Sequence, residues 1–320
     1  MIPTLRIARN GFSNNLCFFY GALLALSLLS GCAGQPTITQ ISAFGTAATV
    51  LSEHTEKGLE LINDASITRK EYEVARTLGE APTDETFRGI ITGDALSTRL
   101  ATVRQIGLYA SGLKKLAEAD VRKDVSDAAT ELNGALAGLA NTTAPDETER
   151  EKLTQGFTLI TDAINAIGQQ VVEQKKHEAI KVIIIQANDI VGTAADLINS
   201  EMGKDSEISK FATQSLRNVE ATLKGAYQSE HKKINLEKRV EMLKRIRAMH
   251  NTAKASVQFF EQISAGTEKL KEAHGALKLA VEKNNFSIPE VISSVSQLVD
   301  IAIRISEFSN QTTSTASAAQ

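Results

Sequence analysis

Beyond its first 35 residues this 320-residue chain carries only four prolines, Pro36, Pro82, Pro145 and Pro289. Proline fixes φ and lacks the donor that a helix interior needs, and each of these four lies beside a polar or small-residue cluster where a helix can start or stop. Between them the residues are helix formers whose apolar members recur every three or four positions. No stretch sustains the two-residue alternation of a half-buried strand. The pattern predicts an all-α fold, an elongated antiparallel helical bundle with long coiled-coil-like helices.

The first helix is expected over 37–78, with Ile41, Phe44, Ala48, Leu51, Leu59, Ile62 and Val74 facing inward. Thr83, followed by Glu85 and Thr86, marks a short helical piece. Further helices are expected over 94–119 and 121–139, the latter closing in "ANTTAPDE". Gly107, Gly112, Gly134 and Gly138 fall singly inside apolar helical patterns, which reads as close helix packing.

Pro145 suits the first turn of the next helix, where Phe157, Ile160, Ile164, Ile167 and Val171 form a heptad seam. A second seam, Ile183, Ala187, Ile190, Ala194 and Leu197, is out of phase with the first across the polar "EQKKHE". The shift allows either a stutter within one helix or a bend between two. "AIKVIIIQA" (179–187) contains a lysine and is too short to span a bilayer, so it reads as bundle core. After "MGKDS" a helix capped by Asp205 or Ser206 starts a proline-free run to about 284, with a turn near Gly266 or around Lys232 and Asn235. Ser287 and Pro289 begin the last helix, and the polar tail from 309 to 320 is expected to be disordered.

The N-terminus has a different character. Arg6 and Arg9 precede the uncharged run Leu16–Leu29, "LCFFYGALLALSLL". Fourteen apolar residues fall short of the ~20 a membrane-spanning helix needs, and small residues follow, as a signal peptide requires. The run ends in Leu29-Ser30-Gly31-Cys32. "LSGC" resembles the lipobox of bacterial lipoproteins, in which the cysteine thiol receives a diacylglyceryl group and the signal peptidase cuts just before it. The resemblance covers residues 1–32. It implies cleavage after Gly31, lipidation of Cys32, and a membrane anchor carrying at least two acyl chains, enough for firm attachment. In a Gram-negative envelope, Ala33 rather than Asp after the acceptor implies the outer membrane, facing the periplasm. Residues 32–36 then form a lipidated tether and 37–308 a single helical domain. Cys17, inside the apolar run, lacks the preceding motif. With no second cysteine after Cys32, no intramolecular disulfide can form.

Chemistry is sparse in the rest. The five histidines, His54, His177, His231, His250 and His274, are scattered and form no zinc-protease motif. Glu173 and His177 share a helix face but would need further ligands to hold a metal, so they read as a solvated pair. Nucleophile elbows and phosphate-binding glycine loops are absent, so neither catalysis nor a cofactor is expected. The formal charge of −3, or −5 once Arg6 and Arg9 are removed, argues against nucleic acid as a partner.

One segment is strongly basic. "HKKINLEKRVEMLKRIRAMH" (231–250) sets Lys232, Lys233, Lys238, Arg239, Lys244, Arg245 and Arg247 against Glu237 and Glu241, a net charge of +5. Lys238, Glu241 and Arg245 share one side of a helix, with Leu236, Val240, Leu243 and Ile246 on another. Such a helix is either the solvated face of a bundle or a site for anionic lipid, acidic polysaccharide or an acidic partner. The whole reads as a lipid-anchored, non-enzymatic scaffold or adaptor that binds another envelope protein. A bundle enclosing a lipid or small ligand, and a membrane-perturbing helical protein, are the alternatives. The sequence leaves the oligomeric state open.

Overall fold

Pro36 opens a 41-residue helix that governs the architecture, because nearly every other element packs along it or along its antiparallel partner. In the computed structural model, residues 36–77, 81–89, 93–120, 122–143, 173–285 and 288–317 are described. Among these the elements are α1 (Pro36–Arg76), a single 3-10 turn (Asp84–Phe87), α2 (Gly93–Glu118), α3 (Arg122–Thr143), α4 (Glu173–Met202), α5 (Glu207–Glu230), α6 (Leu236–Glu282) and α7 (Pro289–Ser317). No strand occurs among the described residues. Cys17, Gly31, Cys32 and the first heptad seam lie outside them.

The register of α1 against α6 is continuous. Phe44 meets His274, a Cβ on Gly58 would touch the ring of Phe259, and Tyr72 bonds Arg245. Contacts that climb α1 descend α6, so the two helices are antiparallel over roughly 42 Å between these contacts at 1.5 Å per residue. α2 runs back along α1 through Glu56–Arg104, and α3 returns along α2 through Lys115–Glu131 at 2.5 Å. α4 is tied to α6 by Asp196–Lys271 at 2.6 Å. α7 closes on α6 with Phe259 and Phe308 stacked at 4.7 Å between centroids. One contiguous core joins α1 to α7, and the bundle is antiparallel, elongated and all-α.

The helical period marked most inward positions correctly. Ile41, Phe44, Ala48, Leu51, Leu59 and Ile62 are buried, as are Leu100, Val103, Ile106, Leu113 and Leu116 on α2. The second seam is buried on α4 from Ile183 to Ala194, and "EQKKHE" is helical within the start of that element. Gly112 sits against Leu132, where a Cβ would lie 2.9 Å from its side chain, whereas Gly134 faces open space and is no packing site.

Element ends follow identifiable side chains. Thr86 Oγ1 accepts from the Thr83 N–H at 3.0 Å, and Glu85 pairs with Lys70 to hold the 3-10 turn on α1. α3 extends to Thr143, past the expected end at 139, where the Thr143 hydroxyl donates to the Leu139 carbonyl at 2.7 Å. Ser206, rather than Asp205, caps α5, accepting from the Ser209 N–H at 3.0 Å.

The proline-free run divides at 231–235, where the Asn235 side chain accepts from the Lys238 N–H at 2.8 Å and starts α6. Gly266 is buried inside α6, in close contact with Leu51, and makes no turn. α6 ends at "NN". Asn284 takes φ 52°, and the amides of Asn284 and Asn285 donate to Val281 and Ala280, which satisfies the last carbonyls. α7 continues to Ser317, through most of the tail expected to be disordered. Without proline or glycine after Pro289, elongation adds a hydrogen bond for each residue fixed.

Candidate functional site

Two places concentrate polar side chains, one inside the bundle and one at its end. The interior group joins three helices. Tyr109 of α2 lies 2.7 Å from Nε2 of His274 on α6, and Nδ1 of the same ring lies 3.3 Å from Oδ1 of Asn188 on α4. Phe44 of α1 packs edge-on against the imidazole at 5.6 Å. Burial, reinforced by the charge of Lys278, lowers the His274 pKa from 6.5 to about 3, and burial raises that of the Tyr109 phenol. The ring is therefore neutral. Nδ1–H donates to Asn188, and Nε2 accepts the phenolic hydrogen.

The sequence offered no sign of this group, because Tyr109 and His274 are 165 positions apart in ordinary helical stretches. Its members satisfy one another's polar atoms inside the core. A nearby cavity, lined by Leu51, Thr55, Ile198 and Leu270 among others, measures about 20 Å³. That suits one water. A small-molecule pocket needs several hundred Å³.

The second place is the end of the α5–α6 hairpin. Lys232 and Lys233 are exposed in the connecting turn, and Lys238, Arg239, Lys244, Arg245 and Arg247 follow on the opening turns of α6. The fold therefore gathers all seven basic residues of the segment. Glu241 binds both Arg245 at 2.6 Å and Lys238 at 3.4 Å, and Arg245 also donates to the Tyr72 hydroxyl at 3.2 Å. Lys232, Lys233, Lys244 and Arg247 have no acidic partner among the described residues. Farther along, Glu220 of α5 accepts from Lys224 and from His250 at 3.0 Å, and its pKa is lowered first by the Lys224 hydrogen bond.

The apolar side of this segment is largely exposed. Leu236 is 68% exposed, Val240 43% and Leu243 47%, while Ile246 is half-buried. The side shared by Leu236, Val240 and Leu243 looks outward. By the α1–α6 register, α1 ends at Arg76, level with about the second turn of α6, so among the described residues Leu236 and Val240 lie beyond its end. Leu236, Val240, Leu243, Lys244 and Arg247 share a sector about 100° wide at 3.6 residues per turn.

His177 is half-buried near the start of α4, and among the described residues no three His, Cys, Asp or Glu side chains converge as metal ligands. "AIKVIIIQA" is core, with Ile180, Ile183, Ile184 and Ala187 buried. No described helix is long and apolar enough to cross a membrane. Comparison with protein-family models, with curated proteins and with solved structures returned no match.

Proposed function

We propose that this protein is an exported, lipid-anchored component of a bacterial envelope, acting as a non-enzymatic scaffold or adaptor. Cleavage after Gly31 leaves Cys32 as the acylated first residue, four positions before α1 begins at Pro36. The observation that carries the reading is the antiparallel register of α1 and α6, from Phe44–His274 to Tyr72–Arg245. It separates the start of α1 from the basic hairpin end by roughly 54 Å of helix at 1.5 Å per residue. A tether at one end and an exposed interaction surface at the other suit a protein whose work is positional. The outer membrane, facing the periplasm, is the proposed site in a Gram-negative cell.

The test is cross-linking and co-purification of the lipidated protein from its own envelope. One stoichiometric protein partner supports the adaptor, whereas a stoichiometric bound lipid and no protein overturns it. Cys32→Ala is expected to abolish acyl labelling and leave an uncut precursor. Normal processing of that variant would contradict the anchor.

A further inference from the structure

We propose that the α5–α6 hairpin end is a docking surface for an anionic lipid bilayer, independent of any attachment through Cys32. Segment 231–250 carries seven Lys and Arg against two Glu. By the α1–α6 register Glu71 and Glu73 lie level with this end, Glu230 closes α5 beside it, and Glu85 is held by Lys70, so the seven cations outnumber these carboxylates together with Glu237 and Glu241. Four of its cations have no acidic partner among the described residues, and the positive end of the α6 dipole points the same way.

Charge alone fits any polyanion. What favours a bilayer is the placement of Leu236, Val240 and Leu243 in the same outward sector as Lys244 and Arg247. Exposed leucine and valine among cations cost solubility and give nothing to an acidic polysaccharide, which offers no apolar phase. At a membrane interface the apolar side chains enter the acyl boundary while the lysine and arginine stems reach back to phosphate. Leu236 to Leu243 spans roughly 10 Å along the helix, so three side chains enter together when the hairpin end tilts onto a surface. A second copy of the chain is a poor occupant, because two such ends bring like charges together.

The chain contains no tryptophan, so one introduced indole reports its own environment. Val240→Trp in the full chain places that indole in the patch. Phe211→Trp places it at another exposed site, 56% accessible and at the opposite end of α5 from the turn. The purified chain is mixed with phosphatidylcholine vesicles, or with the same vesicles containing phosphatidylglycerol. Any N-terminal acyl chain or apolar leader binds both compositions, so the readout is the difference between them.

The expected result is a blue shift of the Val240→Trp emission, with quenching by brominated lipid, on phosphatidylglycerol vesicles only. Phe211→Trp stays unshifted. Adding Lys244→Glu and Arg247→Glu weakens the anionic-selective response about tenfold or more. Adding Leu236→Ser and Leu243→Ser removes the quenching but leaves a salt-sensitive association with phosphatidylglycerol vesicles, read by co-sedimentation. The proposal is overturned if the indole shifts equally on both vesicles, or if charge reversal leaves the response intact. It is also overturned if polyglutamate competes fully while brominated lipid never quenches, which would assign the surface to an acidic polymer.

Discussion

Tyr109 and His274, on helices α2 and α6, meet through a 2.7 Å hydrogen bond inside the core, and Asn188 of α4 completes the ring's second bond. All three helices are thus pinned at one level by a neutral imidazole with both nitrogens satisfied. Tyr109→Phe removes the donor to Nε2, which has no other among the described residues, and leaves that nitrogen buried. The variant is expected to lose about 1–3 kcal/mol of unfolding free energy. Urea unfolding with an unchanged m-value checks this, and a cycle with His274→Leu should show coupling.

The same ring makes stability fall on acidification. His274 titrates at about 3 in the folded chain against 6.5 for an ordinary histidine. Below 6.5 the unfolded state takes up a proton that the folded state refuses, so the folded state is progressively disfavoured as pH falls toward about 3. His54, whose pKa burial also lowers, acts in the same direction. The urea midpoint should drop more steeply between neutral and mildly acidic pH in the wild type than in His274→Gln. Equal slopes would contradict this account of the buried ring.

The space around two glycines, one on α1 and one on α3, gives their alanine substitutions opposite signs. A Cβ on Gly45 would lie 2.7 Å from the Ala110 carbonyl oxygen and 2.6 Å from Lys114 Cβ, so the helices must part. Gly45→Ala is expected to cost about 1–3 kcal/mol. Gly134→Ala meets nothing within 4 Å and should stabilise α3 by about 0.5–1 kcal/mol. Thermal unfolding of the two variants side by side checks both.

The apolar residues at the hairpin end contribute little to folding if they face water. Leu236→Ser with Leu243→Ser should change stability by less than about 1 kcal/mol. Phe259→Ala, in the core, should cost about 3–5 kcal/mol. A large loss in the double variant would mean that the face is covered.

Much of the fold was legible because helix period and proline placement are local signals. Pro36, Pro289 and the buried positions of α1, α2 and α4 follow from them. The α5–α6 break was harder, since Asn235 resembles many exposed asparagines until its side chain is seen capping Lys238. Gly266 looked equally suited to a turn, but Leu51 packs against it. Periodicity also says which residues share a face, not whether a neighbour covers that face. Leu236, Val240 and Leu243 could be placed on one side of a helix from their spacing, but their exposure could not. The Tyr109–His274–Asn188 group had no local signal at all, because its members converge only through the register of α2, α4 and α6.

The separation of the two ends bears most directly on the account. With Cys17 and Cys32 replaced by serine, spin labels at Thr39→Cys and Lys238→Cys sit on exposed positions near the start of α1 and near the hairpin end. Electron–electron dipolar spectroscopy is predicted to give a distribution centred near 60 Å, about 40 helical residues at 1.5 Å each. A distribution below about 45 Å, the width of a rounded globule of this chain length, would contradict the elongated antiparallel bundle and the positional role drawn from it.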